Sequence, residues 1–207
     1  MEQGQSAQDR THSLEARMSL MLITPPATQP VTLDEAKAHL RVAYDDDDIY
    51  ITDLITTATA RLDGAYGLLG RCLITQTWRT TMPVPSTAAI VLPLGPHQSV
   101  DAITYLDDAR NTVTIDPESY VVDYLGSTHP AVLTRVDGAP WPRTVSITFT
   151  AGYGDIPDNV PFPLRSAILL HVAHLFENRE STTTLGFLKE LPHGYADLVT
   201  DYRAWAF

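Results

Sequence analysis

The residue period changes twice along this chain, and those two changes restrict the fold more than any single motif does. From Cys72 the sequence breaks into short β-branched and aromatic runs: CLITQTWRTT, AAIVLPL, SVDAITYLD, NTVTI, SYVVDY, AVLTR and TVSITFTAGYG, separated by Pro, Gly, Asp and Asn. Seven such runs in about eighty residues predict an antiparallel sandwich or small barrel. Turn chemistry at Asp107-Asp108-Ala109-Arg110-Asn111 and at Asp137-Gly138-Ala139-Pro140 fits strands joined by short connections.

On both sides of this block the spacing is helical. Thr32-Leu33-Asp34-Glu35 matches a capping box, in which Thr accepts from a backbone N–H and Glu reaches back to the N-cap amide. A first helix is therefore expected from Thr32 to about Val42, as the first ordered element of the chain. Asp45, Asp46, Asp47 and Asp48 then precede IYITDLITTATARLDGAYGLLG, where Ile51, Leu54, Ile55, Ala58, Leu62, Ala65 and Leu69 recur at three- and four-residue intervals and Gly70 offers a stop. After AGYGDIPDNVPFP, with Pro161 and Pro163 at a helix start, LRSAILLHVAHLFENRE is apolar on nearly every side, as the central helix of a bundle would be. A polar STTT loop and a short amphipathic helix in ELPHGYADLVTDYRAWAF complete the chain.

The expected fold is thus α+β: a helical bundle with an inserted antiparallel β sandwich or small barrel. Its parts are a flexible N-terminal extension over residues 1–21, the first half of the helical part over 22–71, the β insertion over 72–154, and the second helical half with its C-terminal tail over 155–207. Hydrophobic residues at 44% and charged residues at 19% support a packed core and argue against disorder. No run reaches the ~18 apolar residues of a membrane span, and the amino terminus lacks a signal-peptide pattern, so neither secretion nor membrane insertion is expected.

Charge narrows the function classes. The net charge is −11, and the Lys and Arg residues are scattered singly, whereas tight nucleic-acid binding needs clustered cations that displace condensed counterions. Cys72 is the only cysteine, which excludes an intrachain disulfide and a cysteine zinc cage.

The four aspartates are the most conspicuous candidate site. A calcium loop alternates its ligands and places Gly sixth and Glu twelfth; here the acids are contiguous and Thr56 is twelfth from Asp45. Asp45 and Asp46 are read instead as helix-capping carboxylates, alongside Thr32 and Glu35, each contributing roughly 0.3–1 kcal/mol against the helix dipole. His171, His174 and Glu177 share a helix face, but zinc peptidases use His-Glu-x-x-His, and position 172 is Val. Packed histidines are the simpler reading. Gly64-Ala65-Tyr66-Gly67-Leu68-Leu69-Gly70 follows a helix, not a strand, so it reads as a helix C-terminus and not as a phosphate loop. No catalytic residue, metal ligand or cofactor is assigned.

The carboxyl end carries Tyr195, Tyr202, Trp205 and Phe207 where a terminus is usually polar. These aromatics either pack on the chain's own core or anchor a partner. An alternative from another class stands beside a structural role: a metal-dependent hydrolase using Asp45, Asp46, Asp47 and Asp48 or His171, His174 and Glu177.

The order of PVTLDEAKAHLRVAYDDDDIYITDLITTATARLDGAYGLLGRCLITQTW, then FTAGYGDIPDNVPFPLRSAILLHVAHLFENRE, then ELPHGYADLVTDYR, resembles the head-tail connector (adaptor) proteins of tailed phages and phage-derived gene transfer agents. The likeness spans about residues 30–203. It implies a non-enzymatic structural protein in the particle neck, assembled in the bacterial cytoplasm, and a homo-oligomeric ring of about twelve copies. That ring would sit between the portal protein and a tail-side stopper protein, with DNA passing through unbound. It also implies that carboxyl-terminal segments hold the portal, here through Tyr202, Arg203, Trp205 and Phe207.

Overall fold

The computed structural model describes residues 18–85, 88–124, 129–178 and 193–204. All seven predicted β runs form strands, in two antiparallel sheets. The larger contains β1 (Ser19–Thr24), β2 (Gln76–Pro83), β4 (His97–Leu106), β5 (Thr112–Thr114) and β8 (Thr144–Ala151), in the order β1-β2-β8-β4-β5. The smaller contains β3 (Ile90–Val91), β6 (Tyr120–Tyr124) and β7 (Ala131–Arg135), in the order β3-β7-β6.

β8 is the central strand, and its sequence shows why. TVSITFTA alternates strictly, burying Val145, Ile147, Phe149 and Ala151 on one face. Phe149 lies opposite Trp78 of β2 on one side and Val100 of β4 on the other. The inward residues of both sheets share a core, with Leu133 and Ile90 facing Ile103, Ile147 and Phe149. The sheets do not close into a barrel; β1 and β5 remain edges of an open sheet.

The helical part has a separate core. α1 (Leu33–Leu40), α2 (Asp48–Ala60) and α4 (His193–Thr200) all pack against α3 (Phe162–Glu177), which buries Leu164, Ala167, Ile168 and Val172. Residues 72–74 join the two cores: the Cys72 side chain enters the sheet core, while Leu73 and Ile74 enter the helical one.

Two expectations are corrected. The first ordered element is not the helix at Thr32, because Ser19–Thr24 already pairs with β2, from Ser19 opposite Thr81 to Thr24 opposite Thr77. Nothing local announces this strand. Only Leu20 of SLMLIT is half-buried, so no burial period exists to be read.

α2 also stops at Ala60 and does not continue to Gly70. Gly64 has φ +73°, and a Cβ at Gly67 would collide with the carbonyl oxygens of Leu62 and Asp63. The chain instead folds back on itself through Leu68 N–H to Leu62's neighbour Arg61 O (2.9 Å) and Gly64 N–H to Arg71 O (2.7 Å). Leu62 and Leu69 are both fully buried by this loop, so a helix-like spacing is satisfied by a compact turn.

Candidate functional site

At the start of α2 two of the aspartates, Asp45 and Asp48, pair with Lys37 of α1. Lys37 Nζ lies 2.6 Å from Asp45 Oδ1 and 2.6 Å from Asp48 Oδ1, so the protein's own cation bridges two of the four carboxylates. Hydrogen bonding to Lys37 lowers the pKa of Asp45, and the two carboxylates raise that of Lys37. The N-cap of α2 is Asp47, whose side chain makes no capping bond; the expected caps Asp45 and Asp46 lie outside that position. Asp45 is tied instead to α1 through Lys37.

The start of α1 is a closed network. Thr32 Oγ1 accepts from Glu35 N–H at 3.2 Å, and Glu35 Oε2 accepts from Thr32 N–H at 2.9 Å. Arg165 of α3 pairs with the other Glu35 oxygen and, at 2.9 Å, with Asp158. Burial pushes the Glu35 pKa up, but the bonds from Thr32 and the charge of Arg165 outweigh it and the net shift is downward.

His171 and His174 do not converge on a metal site with Glu177. The His171 ring meets Tyr195 of α4 edge-on at 5.8 Å, and its pKa is lowered by burial, by His174 and by Arg61. Glu177 is exposed. Among the described residues, no three His, Cys, Asp or Glu side chains are grouped as metal ligands would be. Cys72 is fully buried, and burial followed by the charge of Asp63 raises its thiol pKa strongly. A thiol held protonated is a poor nucleophile.

The carboxyl-terminal segment is latched onto the loop at residues 61–71. Ala204 N–H donates to Leu69 O at 2.8 Å, and the buried Arg71 donates its Nε–H to Tyr202 O at 2.6 Å. Beside Arg71, Asp63 Oδ1 accepts from Leu73 N–H at 2.6 Å, and both Asp63 oxygens accept from Gln76 Nε2 at 3.0–3.1 Å; burial nevertheless raises the Asp63 pKa. Tyr202 is half-buried against the helical core, whereas Arg203 is exposed. Trp205 and Phe207 lie outside the described residues.

Sequence reasoning missed Arg71 and Tyr66. Arg71 is a lone cation beside a cysteine, and only the fold brings Tyr202, 131 positions away, against it. Tyr66 is 99% exposed on the loop. An aromatic between Gly64 and Gly67 was its one available signal.

Residues 30–105 match the family model described as phage gp6-like head-tail connector protein. No curated protein matches the chain. Solved structures do share its fold. A structure described as the neck of an empty GTA particle computed with C6 symmetry aligns at TM-score 0.74 and 20% identity, over 91% of this chain and 97% of that one. A chain from the virion of a native gene transfer agent (GTA) particle aligns at TM-score 0.73 and 21% identity, over 91% and 96%. The neck of a native GTA particle computed with C12 symmetry aligns at TM-score 0.59 and 22% identity, over 90% and 97%.

Proposed function

We propose that this chain is a structural head-tail connector, a subunit of a ring that joins a DNA-filled head to its tail in a phage or gene transfer agent particle. The observation that carries the reading is the recurrence of the whole two-core fold, helical and β parts together, in chains of GTA particle necks and virions. The connector-family match over residues 30–105 supports it independently of the fold comparison.

The finer assignment is that about twelve copies form the ring, in keeping with the C12 symmetry of one such neck. One side of the ring meets the portal protein and the other a tail-side stopper. Tyr202, Arg203, Trp205 and Phe207 make the portal contact. Assembly takes place in the bacterial cytoplasm. A charge of −11 per subunit suits a channel that repels phosphates and lets DNA slide. The hydrolase alternative gains no support from the site, since Lys37 sits between Asp45 and Asp48 and His171 packs on Tyr195.

The test is to delete the gene in a producing strain and image the particles. DNA-filled heads without tails, and neck density that returns with the restored chain, are expected. Tailed particles that assemble without the chain would overturn the reading, and its absence from finished particles would favour a chaperone.

A further inference from the structure

The loop that receives the carboxyl-terminal segment also holds out one aromatic side chain. Single exposed hydrophobic residues are ordinary, so the exposure of Tyr66 alone says little. Its setting says more. Every other apolar side chain of the loop is committed to a core: Leu62 and Leu69 are buried in the helical core, Leu68 packs against that core, and Ala65 packs against the sheet core. Backbone bonds from Leu68 to Arg61 and from Gly64 to Arg71 clamp the loop, and Gly67 allows it to close. A rigid loop presenting a fully exposed tyrosine has already met the ordering cost of binding.

The occupant follows from what else the loop carries. Leu69 O holds Ala204 and Arg71 holds Tyr202, so residues 202–204 lie against this same loop. Of the charges on residues 61–71 and 201–204, Arg61 and Arg203 are the exposed cations and Asp201 the one exposed acid, against a chain that is strongly acidic. We propose that Tyr66 is a preformed anchor for the same partner that takes the carboxyl-terminal residues, inserting into an apolar pocket rimmed by carboxylates. This rests on the connector reading above, in which that partner is the portal ring.

The test uses full-length protein and purified portal rings of the same particle. The variants are Tyr66→Ala, Tyr66→Phe and a truncation after Ala204, each measured for portal binding, thermal unfolding and self-association. Tyr66→Ala should weaken portal binding about 30-fold per site with an unchanged unfolding midpoint, as a hot-spot aromatic does. Tyr66→Phe should stay within about threefold, because the ring supplies most of the buried surface. Wild-type portal affinity in Tyr66→Ala, with binding lost on truncation, overturns the anchor and leaves the connector reading intact. Full-length protein that ignores the portal takes down both. A Tyr66→Ala defect confined to self-association makes the occupant a second copy of the chain and also overturns the proposal.

Discussion

Two truncations that differ by three residues should differ in stability, because those three include Tyr202 and Ala204, which bond to the loop at residues 61–71. Removing residues 205–207 leaves Arg71 with the Tyr202 carbonyl and Leu69 with the Ala204 amide. Removing residues 202–207 takes both partners away. Arg71 is 3% exposed, so its guanidinium loses a 2.6 Å acceptor in a place that water reaches poorly, even with its other contacts intact. A hydrogen bond to a charged group contributes about 1.5–3 kcal/mol, and losing one at a buried donor costs that order. The half-buried Tyr202 side chain and the Ala204 bond are lost too, but the three residues regain about 1 kcal/mol each of backbone entropy, which roughly offsets them. The net loss is about 2 kcal/mol, or ~4–8 °C in Tm for a chain of this size. Denaturant and thermal unfolding of the two truncated proteins measure it directly. Equal midpoints would refute the reasoning, showing that the carbonyl of Tyr202 is no better a partner for Arg71 than solvent.

Thr32→Ala should lower stability by about 1 kcal/mol in urea unfolding, since it removes one half of the capping box, whereas Asp46→Asn should cost less than about 0.5 kcal/mol. Cys72 should react with a thiol reagent only as fast as the protein opens, because the thiol is buried and its pKa is raised; rapid labelling under native conditions would contradict this. With the His171 pKa lowered by burial, His174 and Arg61, the unfolded chain takes up a proton near pH ~6.5 before the folded one does. Stability should therefore fall as pH drops below about 6.5, and His171→Phe, which keeps a ring beside Tyr195, should flatten that slope. If the ring forms as proposed, −11 per subunit opposes it, so self-association followed by sedimentation should rise with added salt as the Debye length shrinks from ~30 Å at 0.01 M.

The elements that the sequence determined by itself are those whose burial repeats along the chain. β8 alternates because one of its faces is core, and α3 is apolar at Leu164, Ala167, Ile168 and Val172 because that face is buried in the helical core. The Thr32–Glu35 box is likewise local, its two bonds closing over three residues. What the tertiary structure alone decided are the features with no period. β1 is a strand because β2 offers it an edge, not because its own residues alternate. The end of α2 is not legible in the sequence because Leu62 and Leu69 serve a turn and a helix equally well, and the choice falls to glycines whose missing side chains matter only once the loop is closed. The aspartates looked like helix caps from their position, yet the partner that orients two of them is Lys37, on the preceding helix. The latch is the extreme case. Arg71 and Tyr202 carry no mutual signal in the sequence, because a hydrogen bond across 131 residues exists only after two cores have packed and brought a buried cation to a backbone carbonyl.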